Sequence, residues 1–140
     1  MTGHRTQLTC GEHAVLVEVG GLDAVLAFAH AVQGAVAAGS VGFTEIVDVV
    51  PAAATVLIVV RDDAPIVPVR QALASLSVPA FGELPLSDQV IEIPVSYDGP
   101  DLAEVARLTG LSVQDVVAAH TGSDWRVAFG GFAPGFAGNC

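Results

Sequence analysis

Val49 to Val60 is the most apolar stretch of the chain, and its punctuation decides what can be built around it. Asp48 and Arg61 bound it and Pro51 interrupts it. Its twelve residues are too few to cross a bilayer, a task that takes about 20. Pro51-Ala52-Ala53-Ala54 instead separates Thr55 to Val60 from an earlier β-branched run, Phe43 to Val50, giving a strand, a turn and a second strand. The second run carries no charge. A strand that is apolar on both faces belongs in the middle of a sheet.

The flanking periodicities supply the partners. After a turn at Gly11, residues Ala14 to Val19 read as a strand that Gly20-Gly21 ends. Leu22, Val25, Leu26, Ala29, Val32 and Val36 then recur at helical spacing until Gly39-Ser40 stops them. Pro65 to Leu76 predicts a second helix, with Val69, Leu73 and Leu76 inward. Val90 to Val95 reads as a further strand. The expected fold class is α+β, in the order βαββαβ, the split βαβ pattern of a ferredoxin-like sandwich. Ser77 to Asp88 holds two prolines and Gly82 and reads as a boundary, which places an N-terminal α+β domain at 1–88 and the start of another at 89–140.

The second region is densely punctuated. Asp98-Gly99-Pro100 is a turn, and Asp101 with Glu104 has the spacing of a helix cap and its acidic partner. A short helix to Thr109 ends at Gly110, and Ser112 with Asp115 repeats the capping arrangement. Val113, Val116, Val117 and His120 share a face of the next helix, and Trp125 to Phe129 reads as a strand. Two short helices around a glycine corner look like a helix-turn-helix. The second helix nevertheless presents Gln114, Asp115, Ala118 and Ala119, with no cation for a phosphate or a guanine edge.

Charge agrees. The chain has 15 acidic residues against five arginines and no lysine, a net −10, which repels nucleic acid and anionic membrane alike. Cys10 and Cys140 stand far apart with no metal-ligand spacing around them, so neither a disulfide framework nor a metal site is expected. Met1 to Gly11 contains no apolar block of the kind a signal peptide needs, and the expected location is cytoplasmic. No serine lies in a Gly-x-Ser-x-Gly context, and no catalytic residue is announced.

The candidate site is the loop after the last strand, Gly130-Gly131-Phe132-Ala133-Pro134-Gly135-Phe136, together with His120. Glycines let main-chain N–H groups approach an anion or a carbonyl closely. The loop lacks the Gly-Lys-Ser/Thr ending of a P-loop. The bland alternatives are a hydrophobic turn capping a core and a histidine packed at a helix C-terminus, where the dipole favours its charge.

Three blocks carry a family resemblance: Ile93-Pro94-Val95-x-Tyr97-Asp98-Gly99-Pro100-Asp101-Leu102; Gly110-Leu111-Ser112 with Val116 to His120; and Gly131-Phe132-x-Pro134-Gly135-Phe136. In this order they resemble the signature of the KipI/PxpB family, whose members are also described as allophanate hydrolase subunit 1 or as the B subunit of 5-oxoprolinase. The opening strand at Gly11-Glu12 and the segment Val50 to Leu57 resemble the family's N-terminal domain. The resemblance implies a subunit of an ATP-dependent 5-oxoprolinase that opens 5-oxoproline to glutamate. Its partners would be a homologous PxpC-type subunit (allophanate hydrolase subunit 2) and a PxpA-type subunit. ATP would be used by the complex and not bound by this chain alone. The alternative role in the family is inhibition of a sensor histidine kinase by binding it. The implied second domain is a cyclophilin-like β-barrel, with a substrate pocket at the positions of His120, Gly131, Phe132, Pro134, Gly135 and Phe136. The family runs on through most of that barrel after the last motif, so the resemblance implies that only its incomplete start lies before Cys140.

Overall fold

In a computed structural model of the protein, residues 5–84, 90–131 and 137–139 are described. Two compact units divide the chain, Met1–Pro85 with Val127–Cys140 and Leu86–Arg126.

The apolar run does sit inside a sheet. Strands β1 (Thr6–Cys10), β2 (Ala14–Glu18), β3 (Ile46–Pro51) and β4 (Thr55–Val60) form an antiparallel sheet in the order β1-β2-β4-β3. Because β4 lies antiparallel to both β2 and β3, helix α1 (Leu22–Ala37) joins two parallel strands across the one between them. One sheet face contributes Val15, Val17, Val56, Ile58 and Val60 to a core closed by Val25, Phe28 and Val32 of α1 and by Val69 and Leu73 of α2 (Ile66–Ser75). Removing this apolar surface from water, at about 25 cal/mol per Å², is the main drive to fold. The arrangement is α+β: the four-stranded sheet carries α1 and α2 on one side.

The expected order βαββαβ is corrected to ββαββα. Val90 to Val95 forms no strand, and Val90, Ile91, Ile93 and Val95 lie exposed. Pro94 removes a ladder donor, and the place beside β2 is already filled by β1. The sequence hid β1 because its helix-facing positions are polar. Arg5 donates to the carbonyls of Leu73 and Leu76 at 3.3 and 3.0 Å, and Gln7 to that of Arg70 at 3.0 Å. These bonds tie β1 and the residue before it to α2 and its C-cap Leu76, while the Arg5 guanidinium lies 5.0 Å from the centre of the Phe28 ring. Phe43, expected to open β3, is buried in the turn before it, and the strand begins at Ile46.

In the second unit, α3 (Leu102–Thr109) and α4 (Val113–Thr121) meet at Gly110, whose φ of 70° is left-handed. Leu111 N–H donates back to the carbonyl of Ala106, the six-residue bond of a Schellman motif. Ser112 caps α4 as its spacing predicts, accepting from Asp115 N–H at 3.1 Å. The Asp101 cap is not formed. Its side chain makes no cap bond, and Glu104 turns instead to Arg107.

Two further strands, β5 (Val127–Gly130) and β6 (Ala137–Asn139), pair antiparallel. The predicted strand at Trp125 thus begins two residues later. Among the described residues no helix is long and apolar enough to cross a membrane.

Candidate functional site

His120 stands in the last turn of α4, where the helix leaves its final carbonyls without internal partners. Trp125 supplies one. Its indole Nε1–H donates to the His120 carbonyl at 2.7 Å. The same fold-back lays the indole against the imidazole, with ring centres 5.2 Å apart and planes tilted by 35°. On the other side Tyr97 meets the imidazole edge-on, at 5.8 Å and 76°. The Tyr97 hydroxyl and His120 Nδ1 are 2.5 Å apart, a hydrogen bond in which the phenol donates when the imidazole proton is on Nε2. His120 and Trp125 are exposed and Tyr97 is half-buried.

This arrangement fixes the imidazole on two sides. The Tyr97 bond sets the ring's orientation, and with Nδ1 engaged the ring addresses a ligand through Nε2. Two aromatic neighbours add faces on which a planar or apolar group can stack. The cluster therefore suits recognition of a small polar molecule with a flat apolar body.

The structure brings His120 together with Tyr97 and Trp125, neither of which the sequence pattern assigns to the site. Tyr97 is 23 residues away, and no local spacing links the two. The usable signal was that the chain's one tryptophan follows a helix-terminal histidine by five residues. Gly131 is exposed and lies in the other unit, and an added Cβ there would meet nothing within 4 Å. Phe132, Pro134, Gly135 and Phe136 lie outside the described residues. His13 lies 3.9 Å from Glu12 in the β1–β2 turn, and His30 is exposed on α1. Among the described residues no group of three or more His, Cys, Asp or Glu could hold a metal ion.

Residues 6–138 match the family model of the carboxyltransferase domain, subdomain C and D. The chain belongs to this family. It is the KipI/PxpB family of the sequence resemblance, and two curated relatives agree. The B subunit of the Bacillus subtilis 5-oxoprolinase is 47% identical over 51 residues, 34% of this chain and 21% of the relative. That of Escherichia coli O157:H7 is 53% identical over 49 residues, 33% of this chain and 22% of the relative. The aligned segments thus span about a fifth of the curated relatives' length. A crystal structure of a conserved uncharacterized protein from Pyrococcus horikoshii is 29% identical, covering 96% of this chain and 64% of that one. Its TM-score is 0.40, too low to bear on the fold.

Proposed function

We propose that this chain serves an ATP-dependent 5-oxoprolinase as its PxpB-type subunit, or as part of that subunit, opening 5-oxoproline to glutamate with PxpC-type and PxpA-type partners in the cytoplasm. The observation that carries the reading is the family match over residues 6–138, joined to local identity near one half with two proteins named as B subunits of 5-oxoprolinase. The Tyr97–His120–Trp125 cluster supports it. 5-Oxoproline is a flat lactam with a carboxylate and an amide, and an oriented imidazole between two aromatic rings offers it a polar contact and a stacking face. In this reading the sheet with α1 and α2 is the ferredoxin-like domain, and β5–β6 opens a cyclophilin-like barrel.

The described residues do not fit ATP. The chain has no lysine. Arg61 pairs with Glu45 and Asp63, Arg107 with Glu104, and Arg5 and Arg70 are bonded within the first unit. No phosphate cradle is formed among them. In this reading ATP is used at the level of the complex.

The test is genetic and biochemical. Cells lacking this protein should lose ATP-dependent conversion of 5-oxoproline to glutamate in extracts, and the purified native protein should restore it. Extracts of the deletion strain that open 5-oxoproline at the wild-type rate overturn the reading. Restoration by a His120→Ala protein as fully as by the wild type removes the Tyr97–His120–Trp125 cluster from it.

A further inference from the structure

A sheet that covers its helices on one side and meets water on the other normally turns polar residues outward. This sheet does not. Leu8, Leu16, Leu57 and Val50 are register partners across all four strands, so they form one continuous aliphatic row. Their neighbours in sequence, Val15, Val17, Val56 and Ile58, point into the helix-covered core, which puts the row on the opposite face. At its ends Leu8 is 42% and Val50 39% exposed.

The charges beside the row are all of one sign. Glu18 stands one register step to one side, between Thr6 and Thr55, and Asp48 one step to the other, beside Val59. The strand positions sharing this face carry no arginine. Four strands about 4.8 Å apart and five residues at about 3.3 Å each give a patch about 15 Å on a side. That is the size of the dry centre of an interface, whose rim sets partner choice by charge.

We infer that the aliphatic row Leu8–Leu16–Leu57–Val50 is a docking surface for a different polypeptide that presents apolar side chains flanked by lysine or arginine. A second copy of this chain does not fit, since it would bring Glu18 and Asp48 against the same carboxylates in a protein of net charge −10. Resting on the function proposed above, the partner tested is the PxpC-type subunit.

The experiment measures binding of the purified PxpC-type subunit to the native protein in a calorimeter, at low and high salt. Leu8→Lys and Val50→Lys lie at the exposed ends of the row, and circular dichroism and melting temperature check that they still fold. Each should weaken binding at least about tenfold, as loss of a central contact does. Glu18→Gln should weaken it less, with the deficit disappearing at high salt. Folded variants that bind as the wild type does overturn the docking surface and leave the proposed function standing. No binding by the wild type overturns both. A homodimer of the native protein, seen by sedimentation and broken by Leu8→Lys, overturns the choice of occupant.

Discussion

Residues 5–84 and residues 90–126 are both rich in valine, leucine and alanine, yet they bury them very differently. In the first region Val15, Val25, Phe28, Val32 and Ile58 are sealed between a sheet and two helices. In the second, Ala106 alone among the described residues is buried, while Ile91, Leu108 and Trp125 stand largely in water. The difference lies in layering. A sheet face and two helix stripes make a closed core. Two helices of 8 and 9 residues around a glycine corner leave one side of each apolar stripe open. The second region is accordingly held by local devices: a Schellman turn, a serine cap, and the bonds and ring contacts around His120.

The largest expected effect breaks the comparison directly. Phe28 is the largest fully buried side chain among the described residues. Phe28→Ala should cost the first region about 3–5 kcal/mol. Far-UV circular dichroism in urea should show the loss, whereas fluorescence of Trp125, the chain's one tryptophan, reports the second region. If both transitions shift together by the full amount, the two regions are one cooperative unit and the contrast between them fails.

Two glycines sharpen it. Gly42 sits third in the turn Ser40 to Phe43 with φ of 83°, and an added Cβ would lie 2.6 Å from the Ala72 Cβ on α2. Gly42→Ala therefore meets left-handed backbone strain of about 1–2 kcal/mol and overpacking of about 1–3 kcal/mol. Gly110 has nearly the same φ, 70°, but nothing within 4 Å of the added atom. Gly110→Ala should show the backbone share alone, about 1–2 kcal/mol. Equal losses in denaturant melts of the two variants would mean that the Gly42 turn is not packed against α2.

What the sequence made legible follows the same divide. The α1 stripe, the central place of Thr55 to Val60, and the caps at Gly110 and Ser112 were readable because each is a local pattern with one physical meaning. Strand β1 was not, because Gln7, and Arg5 just before the strand, are matched to carbonyls some 60 to 70 residues away. Val90 to Val95 has a strand's composition but forms none, and its expected place beside β2 is held by β1, so pattern alone misreads it. Asp101 and Glu104 have the spacing of a capping box, but Arg107, one turn on, takes the Glu104 carboxylate. His120 was singled out by its helix face, whereas its contact with Tyr97 is a tertiary fact.

A smaller effect tests whether local devices do hold the second region. The Ser112 hydroxyl accepts from Asp115 N–H and donates to the Asp115 carboxylate at 2.6 Å. Ser112→Ala should destabilise α4 by about 1 kcal/mol. Faster hydrogen exchange at amides in the first turn of α4, with unchanged exchange in β2 and β4, is the expected record. Unchanged exchange throughout would mean that tertiary packing, not the cap, holds this helix.

The smallest effect concerns the pair that replaces the predicted cap. Arg107 donates to both Glu104 oxygens, at 2.8 and 2.5 Å, and this hydrogen bonding holds the Glu104 carboxyl below its ordinary range. The same bonding raises the Arg107 guanidinium. A carboxylate depressed in the folded state favours folding at pH above its unfolded value, and that contribution fades as pH falls through the folded value. Both groups are exposed, so solvent screening keeps the contribution small. The measurement is an NMR titration of the Glu104 side-chain carbonyl. Its midpoint should lie below that of a free glutamate and rise to the ordinary range in Arg107→Ala, while helicity of α3 falls slightly faster on acidification in the wild type than in the variant. A Glu104 midpoint that does not move when Arg107 is removed would show that the pair is not formed in solution. Asp101 and Glu104 would then be free to cap α3 as the sequence pattern suggests.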